Sequence, residues 1–408
     1  LVTTLFERSH YRRMPVDDVA SSRMLDAYLD ALDGNRQYFL ASDIEEFEAW
    51  RSGLDDAVKR GQLDPVFEIY RRYVDRTRAR LEYALSQLEV EHDFTVDEEF
   101  VFDRAEAPWP ADEAELDDLW RKRVKNDALG LMLTGKDWDE ARDILRGRYQ
   151  QVLKRFEQVK SDDVFETFMN AFANTMDPHT SYYSPRNSEE YRIQMSLNYD
   201  GIGATLQLQD EYVSVINVIE GGPAALDGTL KPKDRITGVG QGEDGDIVDV
   251  VGWRLDEVVD LIRGPSGSTV RLQILPGGAA PGSASVVIPL VRDKVKLEAQ
   301  AARKERLEIE FEGQVRRIGV ITVPSFYQDY NARVAGAREY TSTTADVRRL
   351  TEELKAEGID GLVLDLRNNG GGHLSEATAM TGLFIPPGPV VQLRDTSGRI
   401  EVLEEQAA

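Results

Sequence analysis

The stretch Asp360–Glu376, DGLVLDLRNNGGGHLSE, constrains this chain more than any other. Its apolar run, Leu362 to Leu366, predicts a buried strand that runs straight into Arg367-Asn368-Asn369 and three glycines. Three consecutive glycines suit neither helix nor strand, because each loses more backbone freedom on ordering than other residues do. They fit a strand-to-helix turn whose backbone N–H groups point outward and are approached closely. A helix beginning near Leu374 adds its positive N-terminal end. Two readings of such a turn stand side by side: an oxyanion hole or anion cradle, and a tight turn that binds nothing.

The rest of the chain sets the frame. Its 408 residues are 41% hydrophobic and 30% charged, which fits a soluble globular protein of two to four domains. No apolar run approaches a membrane span. The first residue is Leu1 and no signal peptide precedes it, so a processed or trimmed form is expected. Cysteine is absent, which excludes disulfides and thiol catalysis and suits an oxidising compartment. A net charge of −24 would repel phosphate backbones, so nucleic acid is not an expected partner. The four histidines, His10, His92, His179 and His373, have no local ligand spacing, and no metal or cofactor is expected.

Residues 1–190 read as a helical domain. Ser42-Asp43-Ile44-Glu45 reads as a capping box opening a helix towards Arg60, and Asp64-Pro65 as a second start. In the long helix that follows, Phe67, Tyr70, Tyr73, Val74, Leu81, Leu85 and Leu88 form a core-facing stripe. Arg71, Arg72, Arg76, Arg78 and Arg80 read as its solvated face, paired with nearby carboxylates. Further helices are predicted at 111–130, 137–159 and 161–175, and His179 reads as a structural turn residue.

Residues 195–295 change character. Strand-like runs at Ala204–Leu208, Tyr212–Val218, Val270–Leu275 and Val286–Leu290 surround a short amphipathic helix bearing Leu255, Val258, Val259 and Ile262. This is the pattern of a PDZ domain, which binds a peptide as an added strand and holds its C-terminal carboxylate on backbone N–H groups. Gly201-Ile202-Gly203-Ala204 fits the carboxylate loop, since glycines let adjacent N–H groups converge on one anion. Thr205 and Leu206 continue into the peptide-pairing strand, and Ile202, Leu206, Val258 and Ile262 offer an apolar wall. Residues 300–408 begin an α/β unit: a strand at Arg317–Val323, a helix from Thr344 to Ala356, then the Leu362–Leu366 strand in parallel. Pro389–Asp395 reads as one more strand, and Thr396–Arg399 as a turn.

The loop LDLRNNGGG resembles that of the tail-specific, or C-terminal processing, proteases, serine peptidases with a Ser-Lys pair. Further matches run in the family's order: Ala107-Pro108-Trp109-Pro110, Leu133-Thr134-Gly135-Lys136, Asp177-Pro178-His179-Thr180, Gly201-Ile202-Gly203-Ala204, Gly221-Gly222-Pro223-Ala224-Ala225, Gly252-Trp253-Arg254-Leu255 and Thr381-Gly382-Leu383-Phe384-Ile385-Pro386. The family usually has glycine where Lys233 stands. The resemblance implies a multidomain α+β fold: a helical domain, a PDZ domain of permuted strand order, and the first part of a crotonase-like α/β protease domain. It implies Gly372, then Gly371, as oxyanion donors, with Asn368 and Asn369 shaping the loop. It further implies a periplasmic location, substrates with apolar C-termini and a lipoprotein adaptor as partner. In the family the nucleophilic serine and its lysine follow the glycine loop. Here only Ser375 and Ser397 follow Gly372, and the last lysine is Lys355, so the chain as given is expected to lack the pair and to be inactive. A non-catalytic PDZ-type peptide-binding protein is the alternative. Crotonase-type acyl chemistry would leave the PDZ and helical domains unexplained.

Overall fold

The computed structural model describes residues 1–280 and 283–405. The chain divides into two compact units, Leu1–Ser184 with Asp395–Gly398, and Pro185–Arg394 with Arg399–Ala408.

The first unit is helical: α1 (Val2–Arg8), α2 (Asp18–Asp33), α3 (Ala41–Phe47), α4 (Leu54–Arg60), α5 (Asp64–Gln87), α6 (Glu113–Met132), α7 (Trp138–Glu157) and α8 (Ser161–Met176). At 1.5 Å per residue α5 is about 36 Å long, enough to serve two cores. Its first half packs Val66 and Ile69 with Met24, Leu25 and Tyr28 of α2 and Phe168 and Phe172 of α8. Its second half packs Leu81 and Ala84, with Leu88 just beyond it, against Leu116, Trp120 and Val124 of α6 and Leu145 of α7. The aromatic stripe Phe67, Tyr70 and Tyr73 lies against the first core, as its spacing predicts.

Three local expectations are corrected here. The helix foreseen from Ser42 to Arg60 is two helices, α3 and α4, with a single 3-10 turn and Gly53 between them. Asp43, not Ser42, makes its start: the Asp43 carboxylate accepts the Leu40 N–H at 3.0 Å. The arginine stripe of α5 is not simply solvated. Arg72 and Arg76 converge on Asp43, whose side chain is wholly buried, and Arg80 is itself buried against Glu113 and Asp117. The turn at 177–180 is fixed by Asp177, which accepts the His179 N–H at 2.7 Å and bonds His10 Nε2 at 2.6 Å, while the His179 side chain is exposed.

The second unit opens with α9 (Pro185–Ser196) and β1 (Asn198–Gly201). An antiparallel sheet follows, in the order β2 (Ala204–Gln209), β3 (Tyr212–Val218), β4 (Arg235–Gln241), β6 (Thr269–Leu275), β7 (Val286–Val291), with β5 (Ile247–Asp249) beside β4. Two helices, α10 (Pro223–Asp227) and α11 (Leu255–Ile262), accompany it. Its core is Val213, Val215, Ile236, Val239, Val258, Val270 and Leu272. The chain leaves through β8 (Asp293–Lys296), which pairs antiparallel with β1.

The α/β region that follows is a sheet in the order β11 (Gly361–Asp365), β10 (Gln314–Thr322), β9 (Arg303–Phe311), with β10 and β11 parallel. A short helix, α12 (Tyr330–Val334), and α13 (Thr343–Ala356) form the crossover, and α14 (Leu374–Gly382) follows the glycines. A hairpin, β12 (Gly388–Arg394) and β13 (Ile400–Glu405), ends the described chain. The Leu362–Leu366 strand is half-buried rather than buried. Leu362 and Leu364 join the core under α13 with Ile321, Val347 and Leu350, whereas Val363 is 48% and Leu366 44% exposed. The reason is one-sided cover: Leu307 and Ile309 of β9 share Val363's open face.

Candidate functional site

The glycine loop is held from two sides. Asn369 donates from Nδ2 to Val323 O at 2.9 Å and accepts the Gly371 N–H on Oδ1 at 2.7 Å. Asn368 takes a positive φ of 64°, which asparagine tolerates better than most side chains. Across the loop, Phe326 N–H donates to Gly371 O and His373 N–H donates to Phe326 O, both at 2.8 Å. That is one rung of a parallel bridge between Phe326 and Gly372. In such a rung the central residue's own N–H points away from its partner strand. The Gly372 N–H accordingly meets no acceptor among the described residues. Glycine is required there: φ is +141°, and a Cβ would stand 2.3 Å from Phe326 O. Of the two glycines singled out from sequence, Gly372 therefore presents its N–H, while Gly371 is spent on Asn369. Asp365, at the strand end, is pulled down to about 2 by the Arg367 guanidinium and backbone N–H.

The surroundings of the loop are polar and ordered. Tyr330 and His373 stack at 6.4 Å, almost parallel. Buried Tyr327 donates to Asp346 Oδ2 at 2.6 Å and accepts the Ala302 N–H, and burial pushes its phenol up. Burial alone would raise Asp329, yet the Ala332 N–H, Lys294 and Asn198 hold its carboxyl below the usual range. Glu376, four residues beyond Gly372, is 3% exposed and makes four side-chain bonds; nothing in its local sequence announced this. Among the described residues no group of three His, Cys, Asp or Glu side chains could hold a metal ion.

The second part of the site lies on the PDZ sheet. Gly203 has φ +75° and packs so closely on Gly222 that a Cβ would lie 3.0 Å from the Gly222 Cα. Behind the loop, Ile202 O accepts Ala224 N–H and Gly203 O accepts Ile219 N–H, both at 2.8 Å. With its carbonyls held from behind, the loop leaves the Ile202 and Gly203 N–H groups without an acceptor among the described residues. Beyond it, among the described residues, β2 pairs only with β3, and α11 packs alongside β2. An edge strand flanked by a helix is a slot for one more strand. The structure gathers Ile202, Ala204, Leu206, Leu255, Val258 and Ile262 into one apolar cluster. Ile202, Val258 and Ile262 form its buried floor, so the accessible wall rests on half-buried Leu206 and Leu255. Val259 stands outside that cluster and Thr205 points outward, while Gly201 is paired into β1.

Comparison with known proteins agrees with this architecture. The tail-specific protease N-terminal domain matches residues 2–186, the PDZ domain 190–275 and peptidase family S41 317–408. A tail-specific protease of Haemophilus influenzae is 42% identical over 408 residues, which is 100% of this chain and 56% of that protein. The carboxy-terminal processing protease CtpA of Bacillus subtilis is 26% identical over 271 residues, 66% of this chain and 51% of that protein. Among solved structures, the PDZ domain of a carboxy-terminal protease from Vibrio cholerae, in complex with peptide, is 53% identical; it covers 25% of this chain and 100% of that one at a TM-score of 0.24. A photosystem II D1 C-terminal processing protease overlaps 67% of this chain and 65% of that one, at 22% identity and a TM-score of 0.27.

A region matching the tail-specific protease N-terminal domain, a PDZ domain and a region matching peptidase family S41 follow one another in that order. Over its whole length the chain is similar to a tail-specific protease. It spans about half the length of the curated relatives it matches. No helix among the described residues is long and apolar enough to cross a membrane.

Proposed function

We propose that residues 1–408 are the substrate-recognising and oxyanion-bearing part of a tail-specific serine endopeptidase. The observation that carries this reading is the Gly372 N–H, turned outward by the Phe326 bridge and left without an acceptor among the described residues. A substrate with an apolar C-terminus pairs with the free edge of β2, its carboxylate on the Ile202 and Gly203 N–H groups and its last side chain against Leu206 and Leu255. The scissile carbonyl of the same substrate turns its oxygen to Gly372. As the tetrahedral anion forms, that N–H gains strength, which is how a fixed donor lowers the barrier. The nucleophile is a serine whose proton passes to a lysine kept neutral by desolvation.

Among the described residues from 300 onward no serine hydroxyl is hydrogen-bonded to a lysine amine. Lys304 is bound to Glu353 and Glu357, and Lys355 is exposed. The hydroxyls of Ser342, Ser375 and Ser397 bond Glu376, Arg333 and Asp395. The 408-residue chain by itself is therefore assigned no turnover. This same observation favours a second reading, a non-catalytic peptide-binding protein. A periplasmic location and a lipoprotein adaptor belong to the first reading by family resemblance.

Binding tests the recognition half. Peptides ending in apolar residues, as free acids and as amides, are titrated into residues 1–408 by fluorescence anisotropy. The expected affinity of the acid is about micromolar or weaker, since one added strand and one or two buried side chains offset the ordering cost only modestly. Amidation removes the anion and weakens binding. Equal affinity for both forms contradicts the assignment of the loop.

A further inference from the structure

We propose that Glu376 is the positioning residue of the oxyanion loop, an inference that rests on the reading of Gly372 given above. Glu376 is 3% exposed, and its carboxylate meets no cationic side chain among the described residues. Its carboxylate accepts the Ser342 hydroxyl, the Thr344 N–H and the Thr344 hydroxyl, each at 2.8 Å. Ser342 caps α13 and Thr344 lies in its first turn, so the negative charge sits on the positive end of a fourteen-residue helix. The other carboxylate oxygen accepts Gln328 Nε2. Gln328 is oriented in turn by Arg333, whose guanidinium donates to its Oε1 at 3.0 Å and reaches the Ser375 hydroxyl at 3.3 Å.

These partners bracket the loop. Gln328 lies two residues beyond Phe326, the residue that makes the bridge to Gly372. Glu376 lies in the first turn of α14, the helix into which the loop runs. The Glu376–Gln328 bond therefore ties the segment that orients the Gly372 N–H to the helix that carries the loop, and α13 anchors both. A buried carboxylate with four donors is costly to disturb, because each donor left alone is a desolvated orphan. Such an arrangement fixes a direction as well as a fold, and direction is what an oxyanion donor needs.

The test exchanges the polarity of the pair. Glu376→Gln keeps an oxygen for α13 but sets a second amide N–H against that of Gln328. Combining it with Gln328→Glu restores one acceptor between them, and the new carboxylate still accepts from Arg333. In the complete gene product, with an unfolded substrate bearing an apolar C-terminus, Glu376→Gln is expected to lower kcat by roughly ten- to a hundredfold with KM unchanged. The double variant is expected to recover most of that loss. An unchanged kcat per folded molecule in Glu376→Gln, or a double variant no better than the single, overturns the proposal. Amide hydrogen exchange across Gly370–His373 in residues 1–408 gives a readout free of turnover. It should quicken in Glu376→Gln and slow again in the double variant. If the unmodified gene product cleaves nothing, the peptidase reading falls while exchange still decides the latch: unaltered exchange overturns it.

Discussion

At the scale of a residue, Gly372 carries two demands that no other side chain meets. Its φ of +141° lies outside the range of ordinary residues, and its α-carbon faces Phe326 O too closely for a Cβ. Gly372→Ala must therefore shift the loop as well as strain it. Losing one oxyanion donor costs roughly 3–4 kcal/mol of barrier, about a hundred- to a thousandfold in rate. The expected result in the complete gene product is a kcat lower by that factor, with acid-selective peptide binding kept and a modest fall in the thermal midpoint. A normal kcat per folded molecule would leave Gly372 a turn residue only. The three glycines and the resemblance around them made this loop legible. The ranking of Gly372 before Gly371 rests on the resemblance alone; its geometric reason lies in Phe326, a partner 46 positions away in the chain. Glu376 was silent because its donors come from residues 328 to 344, and a lone glutamate in a helix reads as solvent-facing.

At the scale of elements, hydrophobic spacing located most helices and the central strands, and failed where charge alternates with apolar residues or where pairing is non-local. In β9, Leu307, Ile309 and Phe311 alternate with Glu308 and Glu310, a strand pattern that passed unread among the charges. Of the α5 arginines, Arg71 and Arg78 are exposed as their spacing predicts, whereas Arg72, Arg76 and Arg80 are drawn inward by acceptors on α3 and α6. Asp43 makes the consequence measurable. Burial on its own would raise its carboxyl, but bonds from Arg76, the Leu40 N–H and Arg72 outweigh it and hold it below 3.8. A carboxyl lower in the folded than the unfolded state stabilises above about pH 4 and ceases to do so as pH falls through its folded value. Asp43→Asn is expected to cost about 2 kcal/mol near neutral pH. Thermal melts should show the gap between variant and parent closing as the solution is acidified below pH 4; a gap of constant size would rule out the ionic contribution.

At the scale of the whole molecule, the proposed division of labour has a direct consequence. Residues 1–408 should bind apolar C-termini and cleave nothing, whereas the complete gene product should do both. Incubation of each with the same unfolded substrate decides it: steady cleavage by the 408-residue chain, abolished by a substitution within it, would sink the division. The molecule also bears on how such a protein changes what it recognises. The PDZ sheet enters through β1 and leaves through β8, and these two strands are hydrogen-bonded to each other from Asn198↔Lys296 to Gly201↔Asp293. Both ends of the domain thus stand at one ribbon, with Gly201 at its tip. A recombination event there could exchange one reading head for another while leaving Phe326, Gly372 and Glu376 where they are. Selectivity and chemistry can then be inherited separately, and a lineage can acquire new clients without rebuilding its oxyanion loop.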